Sequence, residues 1–342
     1  MVMHEVDPAA PDGEAGARRR WLQAGAGLFA AGLFGSLSAC GGDDRSPLAD
    51  SPTPTPTGSP SPSPVATVTP TIQALTDNDL LIFILQLTYL QAEFYSMAIL
   101  GVPLPPDLAG AGAPAIAGPR QITFKTAALG EMFRELAFGK LDQLTCLREM
   151  LGSAAVSRPA VDLDVTENGV FTRIARSAAI VKSPETFDVY ASEEAFLLAS
   201  FFLEDIITAA YKGALPLFQK SATIAICGGL LATSACHTAM VRSQLYLSGL
   251  ASGSTLRQRS IRLSDLRDSY DSATDLDQGV SGGSATTPNN SANVTNADGE
   301  GLIYGRPPQL TLNVVYLTNL PATSGGFFPD GLTGTIRQTA RT

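Results

Sequence analysis

Four long segments with the signals of helices constrain the fold of this 342-residue chain more than any other feature. They are residues 76–101, 122–152, 183–213 and 216–249. The first opens on the capping candidate Thr76, and the second ends at Gly152. The third carries Glu193 and Glu194 in its expected first turn, where acids suit the helix dipole, and the fourth begins at Pro216 and ends at Gly249. Each segment is apolar on more than one face, which favours mutual burial in a bundle over a lone surface helix. The sequence therefore predicts an all-α four-helix bundle over residues 74–252.

The connections add detail to this prediction. About thirty residues separate the second and third helices, and a connection of that length is typical of a bundle with one long crossover. Residues 253–342 are rich in Gly, Asn, Ser and Thr, and we expect a mostly irregular extension that docks on the bundle. Within it, residues 256–270 carry helical signals, whereas residues 309–319 fit a strand or a helix equally well.

The N-terminus has the pattern of an export signal. Three arginines, Arg18–Arg20, precede an apolar run rich in Gly and Ala, and the run ends at Leu37-Ser38-Ala39-Cys40. Such a run is too short and too small in side-chain size to span a bilayer stably. The arginines resemble a twin-arginine signal and the last four residues resemble a bacterial lipobox. We expect residues 1–39 to be removed and Cys40 to be lipidated, with an uncleaved membrane anchor as the alternative.

A spacer follows the expected lipidation site. Residues 40–73 contain a tract of Pro, Ser and Thr that cannot form a core. Its prolines favour an extended polyproline II conformation, with a reach on the order of 80 Å at about 3.1 Å per residue. The sequence thus predicts a tether between a membrane-anchored Cys40 and the bundle, at the outer face of the membrane or in the periplasm.

The charge balance excludes one class of partner. The chain has 23 basic and 32 acidic side chains, a net charge of −9. An acidic surface repels phosphate, and no basic stripe with interleaved aromatic residues is present. We therefore expect no nucleic-acid binding, and a protein or envelope partner is left open.

Three stretches resemble a known family. They are NDLLIFILQLTYLQAEFYSMAILG (78–101), FFLEDIITAAYKGALPLF (201–218) and GGFFPDGLTGTIR (325–337). In order and spacing they are similar to the ferritin-like family of exported, desiccation-related proteins, and the closing stretch is similar to the tails of its bacterial members. The resemblance covers about residues 74–342. It implies a ferritin-like bundle, a fold that often holds two metal ions between its helices.

The metal-binding design of that fold carries over poorly to this chain. The design takes one Glu from each of two helices and a Glu-x-x-His pair from each of the other two. The resemblance places these six positions at Thr88, Lys140, Gln143, Glu204, Ser234 and His237. Glu204 and His237 alone retain ligand types, so they are the two weak metal candidates. The resemblance therefore implies remnant positions, no catalytic residue and no bound metal, with iron or manganese as the alternative.

Lys140 departs furthest from the design. A protonated lysine has three donors and no lone pair, so it cannot coordinate a metal. It could instead pair with Glu204 and take the electrostatic place of the metal, provided that both buried partners are well satisfied. A register shifted by one turn would move Lys140 to the surface.

The number of histidines gives an independent constraint. Two Glu-x-x-His motifs need two histidines, and the mature chain has only His237, because His4 lies in the signal. The standard di-metal arrangement is thereby excluded, whereas an all-oxygen site or a single metal held by Glu204, His237 and another acid is not. His237 is expected to be a satisfied polar side chain, with a weak metal site or a misread register as alternatives.

The remaining motifs indicate no catalytic site. Cys146 and Cys236 form the one conceivable disulfide, and the alternative is that both are small core residues. The acidic, glycine-containing stretches 271–279 and 296–301 lack the ligand series of a calcium-binding hand and are expected to be solvated turns. No nucleophile elbow or phosphate loop occurs.

These observations lead to one principal hypothesis and two alternatives. The principal hypothesis is an exported, membrane-tethered ferritin-like protein with a degenerate metal site, which acts by binding or protection at the envelope, in stress or desiccation. The first alternative is a metal-dependent oxidase or peroxide-handling enzyme with a reduced site. The second is an adhesive lipoprotein whose C-terminal extension binds a partner.

Overall fold

The computed structural model describes residues 74–111, 119–272, 274–298 and 300–342. The expected signal, Cys40 and the tether lie outside these residues. The regular secondary structure of the described part is helical apart from one small hairpin. Its helices are α1 (Asp77–Tyr95), α2 (Pro106–Ala109), α3 (Ala127–Leu151), α4 (Val170–Ser177), α5 (Glu193–Ala214), α6 (Ser221–Ser248), α7 (Leu256–Asp271) and α8 (Pro308–Tyr316). The hairpin pairs β1 (Ser281–Gly283) with β2 (Pro288–Ala292) in antiparallel register.

Helix α1 is the central helix of the bundle. Thr76 forms a capping box with Asp79: its hydroxyl accepts from the Asp79 N–H, and its own N–H donates to the Asp79 carboxylate at 2.8 Å. Beyond the first turn nearly every side chain is buried, because α1 packs against both α3 and α5. The helix continues as a π-helical turn, Ser96–Leu100, and ends at Gly101 in the left-handed region (φ 75°).

The bundle consists of α1, α3, α5 and α6, in which α1 pairs with α3 and α5 pairs with α6. The predicted all-α fold with a long crossover is confirmed: residues 152–192 connect α3 to α5 and contain only a 3₁₀ turn, Gly152–Ala154, and the short α4. The third helix of the bundle, α5, has Glu193 and Glu194 in its first turn as predicted; it starts at Glu193 because the Ser192 hydroxyl accepts a hydrogen bond from the Ala195 N–H.

The fourth helix of the bundle, α6, starts later than predicted, at Ser221 instead of Pro216. Residues Leu215–Leu217 form a 3₁₀ turn, and the carboxylate of Asp77 accepts the N–H groups of Gln219 (2.8 Å) and Lys220 (3.2 Å). These two bonds hold the start of α6 against the start of α1.

The C-terminal part packs on the bundle. Helices α7 and α8 both contact α5, and the ambiguous stretch 309–319 is a helix over most of its length. The backbone at Arg306 approaches α5 so closely that a Cβ on Gly213 would lie 2.0 Å from the Arg306 carbonyl oxygen. The tail then returns to α1, where the Gln86 amide donates to the Thr333 carbonyl and accepts from the Thr333 N–H.

Two helices of the described part are long and apolar enough to span a membrane by length and composition. In the first, Asp77–Leu100, 89% of the most apolar 18-residue window is buried inside the protein; in the second, Ser221–Ser248, only 22% is buried. The mutual burial expected of the four helices is therefore incomplete for the apolar surface of α6.

Candidate functional site

The six positions expected from the resemblance lie at the middle of the bundle. Helix α1 contributes one of them, α3 two, α5 one and α6 two. They are Thr88, Lys140, Gln143, Glu204, Ser234 and His237. Four have no exposed surface, Gln143 is 4% exposed, and His237 is half-buried. Lys140 therefore lies in the interior, as the helical register taken from the resemblance requires. The alternative, a register shifted so that Lys140 lies on the surface, is wrong.

Lys140 and Glu204 form a buried pair. The Lys140 Nζ donates to the Glu204 Oε2 at 2.8 Å, and neither side chain has any exposed surface. The other carboxylate oxygen, Oε1, accepts from the Gln91 amide at 2.8 Å. Helices α1, α3 and α5 thus meet at a single carboxylate.

Burial sets the protonation behaviour of this pair. It raises the pKa of Glu204 above its usual value, and the Lys140 ammonium opposes this shift. Burial lowers the pKa of Lys140, and Glu204 opposes that shift in turn. Each partner therefore offsets part of the effect of burial on the pKa of the other.

The remaining positions form neutral hydrogen bonds. The Thr88 hydroxyl donates to the Ile84 carbonyl at 2.9 Å and lies 3.5 Å from the Tyr211 hydroxyl. The Gln143 amide donates to the Ser234 hydroxyl at 3.4 Å, which joins α3 to α6.

His237 lies beside α3, opposite Gly139. A Cβ on Gly139 would lie 2.9 Å from the His237 Cε1, so the absence of a side chain at residue 139 makes room for the imidazole. Burial, together with the charge of Lys140, lowers the pKa of His237 to about 3. The ring is therefore neutral at neutral pH. Its buried Nδ1 has no hydrogen-bond partner among the described residues, so the hydrogen bonding expected of a satisfied histidine is missing at this atom.

This arrangement does not fit a di-metal centre. A cation at Glu204 would meet the Lys140 ammonium, which has no lone pair to offer, and both Glu204 oxygens already accept hydrogen bonds. Thr88, Gln143 and Ser234 offer only neutral oxygen atoms. Within the described ranges, no three or more His, Cys, Asp or Glu side chains come together in a way that could hold a metal ion.

The cysteines of the described part are free thiols. Cys146 is half-buried, Cys227 is buried and Cys236 is exposed, so the conceivable bridge between Cys146 and Cys236 is absent from this structure. Burial raises the pKa of Cys227 to about 12, which keeps this thiol protonated and poorly nucleophilic.

A second polar cluster escaped the sequence reasoning. Three arginines and three aspartates, each with a buried side chain, connect α5, α6 and α7 to the segment before α8: Arg242, Arg267, Arg306, Asp205, Asp271 and Asp277. Asp205 accepts from Arg242 at 2.7 Å and from Arg267 at 2.8 Å. Asp277 accepts from Arg267 at 2.5 Å and from Arg306 at 3.2 Å, and Asp271 accepts from Arg306.

This arginine–aspartate cluster also explains the acidic stretch 271–279. Burial alone would raise the pKa of Asp277, but the charges of Arg267 and Arg306 lower this pKa to about 2. Asp271 and Asp277 therefore form structural ion pairs with arginines in the interior. The expectation that the whole stretch is a solvated turn is wrong for these two side chains. The only sequence signal was the adjacency of Glu204 and Asp205 in the LEDIITAAY stretch.

Comparison with known proteins gives consistent matches. The model of the ferritin-like domain family matches residues 76–247. The ferritin-like catalase Nec2 of Nesocodon mauritianus is 26% identical over 269 residues, which are 76% of this chain and 84% of that protein. The desiccation-related protein PCC13-62 of Craterostigma plantagineum is 26% identical over 272 residues, which are 76% of this chain and 83% of that protein.

Proposed function

This chain belongs to the ferritin-like domain family, and we propose that it is a non-catalytic member in which the Lys140–Glu204 pair takes the place of the metal centre. It acts by binding or protection at the cell envelope. The observation that carries this proposal is the 2.8 Å contact between a buried ammonium and the one acid retained at the six ligand positions.

Electrostatics support this interpretation of the site. A divalent cation about 4 Å from the Lys140 ammonium would be repelled by on the order of 8 kcal/mol at an effective dielectric constant of about 20. Metal binding would therefore require Lys140 to lose its proton or to leave the interior. Loss of either partner alone leaves an uncompensated buried charge, so the pair resists both changes.

The cellular setting of the proposal rests on the N-terminal sequence and on the relatives. Residues 1–39 have the pattern of a twin-arginine lipoprotein signal, and Cys40 followed by a proline-rich spacer would hold the bundle away from a membrane. The name of one relative, a desiccation-related protein, suggests a role under water stress. We infer an exported, lipid-anchored protein at the extracytoplasmic face of a membrane.

The name of the other relative favours a second candidate, a peroxide-handling enzyme. In this chain it would require an iron or manganese site built around Glu204 and His237. Lys140 opposes such a site, because it pairs with Glu204 and its charge lowers the pKa of His237. The first proposal therefore fits the geometry better.

Metal content and peroxide turnover separate the two candidates. The full chain is purified without chelators, and its iron and manganese are measured beside those of the Lys140→Met/Glu204→Gln double variant, which removes both charges while it preserves side-chain shape. We expect trace metal and no catalase activity in both proteins. Near-stoichiometric metal in the native chain, lost together with peroxide turnover in the double variant, would overturn the proposal.

A further inference from the structure

Helix α6 exposes a long apolar face. Only 22% of its most apolar 18-residue window is buried, although the helix is one of the two in the described part that are long and apolar enough to span a membrane. Five of the ten large hydrophobic side chains exposed among the described residues lie in or beside the helix, although not all on one side of it: Leu217, Ile224, Ile226, Leu247 and Leu250. An apolar surface of this length on a soluble domain is typical of an interaction site.

The same face carries no charge. Arg242 is the one permanently charged residue of α6, and it is buried in the arginine–aspartate cluster. His237 is half-buried and neutral, since its pKa is lowered to about 3. The chain as a whole has a net charge of −9, so two copies would repel each other at most other surfaces. An uncharged face is where a second copy can approach.

The side chains along the solvent-facing line of α6 become larger from the N-terminal to the C-terminal half of the helix. Residues three or four positions apart follow one face, as in helices that pair along a seam. The N-terminal half of this line is small and exposed, and consists of Ala222, Ala225, Gly229 and Ala232. After Cys236 the line continues through the half-buried Met240 and Ser243 to Leu247, which is 58% exposed.

This change in size makes the face complementary to itself. In an antiparallel pair related by a two-fold axis through Cys236, residue 247 of one copy opposes residue 225 of the other, 243 opposes 229, and 240 opposes 232. Leu247 would then lie over Ala225, and Met240 over Ala232. Two-fold interfaces require such self-complementarity, because the same patch serves both copies.

The area is sufficient for a specific contact. Helix α6 has 28 residues, so its face is about 42 Å long and about 10 Å wide. Two such faces, with Leu217 and Leu250 at their ends, would bury on the order of 1,000 Å² in total, the lower limit for a biological interface. A lipid surface is a poorer occupant, because Arg242, the one Lys or Arg within α6, is buried, Lys220 flanks only its start, and the centre of the face lacks the bulky side chains of interfacial helices.

We propose that α6 forms the interface of a homodimer, in which two copies pair antiparallel about a two-fold axis that passes close to Cys236. This inference does not depend on the role of the Lys140–Glu204 pair.

Disulfide trapping tests the pairing and its register. In the full chain with Cys40→Ser, Cys236 is the one exposed thiol of the described part that remains. Mild oxidation is expected to give a covalent dimer on a non-reducing gel, and Cys236→Ser is expected to abolish it. In the Cys236→Ser background, Gly229→Cys alone should not cross-link, because its two copies would lie about 21 Å apart along the helix axis, beyond disulfide reach. Adding Ser243→Cys should restore the cross-link.

A charge on the face tests the dimer without oxidation. A Cβ on Gly229 has nothing within 4 Å, so Gly229→Glu is compatible with the folded monomer. We expect it to raise the dimer dissociation constant about 100-fold in sedimentation experiments, since each carboxylate would be desolvated opposite Ser243 of the other copy with no cationic partner. Ala128→Glu, on the exposed face of α3, is the matched control and should leave the dissociation constant unchanged. A monomeric native chain, vesicle binding by a monomer through this face, or cross-linking at residue 229 alone would each overturn the proposal.

Discussion

Removing the charge of Lys140 alone is expected to destabilise the folded protein more than removing the charges of Lys140 and Glu204 together. The two groups are 2.8 Å apart and completely buried, so solvent cannot compensate for a lost partner. Deletion of one partner of such a pair costs about 3–5 kcal/mol, whereas replacement of both by neutral groups of similar shape is often close to neutral.

The test is a double-mutant cycle with Lys140→Met, Glu204→Gln and the combination of the two. Each single variant should lower the free energy of unfolding by about 3 kcal/mol or more, which corresponds to a fall in melting temperature of roughly 10 °C for a domain of this size. In the double variant the amide carbonyl introduced by Glu204→Gln can still accept from the Gln91 amide, so we expect a loss of less than about 2 kcal/mol.

The measurement is thermal unfolding of the full chain, followed by circular dichroism. The result that would refute the reasoning is additivity: a double variant whose loss equals the sum of the two single losses would mean that Lys140 and Glu204 do not stabilise each other. A Lys140→Met variant as stable as the native chain would lead to the same conclusion.

Three further predictions can be checked by the same unfolding measurement. Because the pKa of His237 is lowered to about 3 in the folded state, its contribution to stability is complete above pH 6.5 and is lost as the pH falls from 6.5 towards 3; His237→Gln should flatten this part of the pH profile. Gly213→Ala should destabilise the protein by about 1–3 kcal/mol, since its Cβ would lie 2.0 Å from the Arg306 carbonyl oxygen. The control, Gly228→Ala, should be neutral or stabilising by up to about 1 kcal/mol, because a Cβ at residue 228 has nothing within 4 Å. Arg267→Met should cost about 3 kcal/mol, because it removes a partner shared by two buried aspartates, and equal stability to the native chain would contradict that role.

The helical periodicity of the sequence was enough to predict the bundle. Long apolar segments with clear ends, such as the one from Thr76 to Gly101, have few alternatives to mutual burial. The first turn of α5 was predicted correctly from Glu193 and Glu194, because its cap, Ser192, is local. The start of α6 was misplaced, because it depends on Asp77, more than a hundred residues away. Local patterns cannot reveal a cap of the second kind.

Prediction of the site depended on helical register. Once the resemblance placed Lys140 and Glu204 at ligand positions, their contact followed from their charges. The arginine–aspartate cluster could not be predicted in this way, because Asp205, Arg242 and Arg306 are far apart in sequence and meet only after the C-terminal part has packed on α5. Nor does composition distinguish α6, with its exposed face, from the buried α1, since both are uniformly apolar.

The consecutive acids Glu204 and Asp205 on α5 connect the Lys140–Glu204 pair to the arginine–aspartate cluster. Adjacent residues on a helix point about 100° apart, so Glu204 can face Lys140 in the bundle while Asp205 faces Arg242 and Arg267. Deletion of residues 253–342 would remove Arg267 and leave the buried ends of α5 and α6 uncovered. Loss of partner binding by such a truncation would therefore not identify the C-terminal extension as an adhesive module. Substitutions on its exposed surface, such as Leu302→Ser (Leu302 is 49% exposed), are the appropriate test, because they leave the shared core intact.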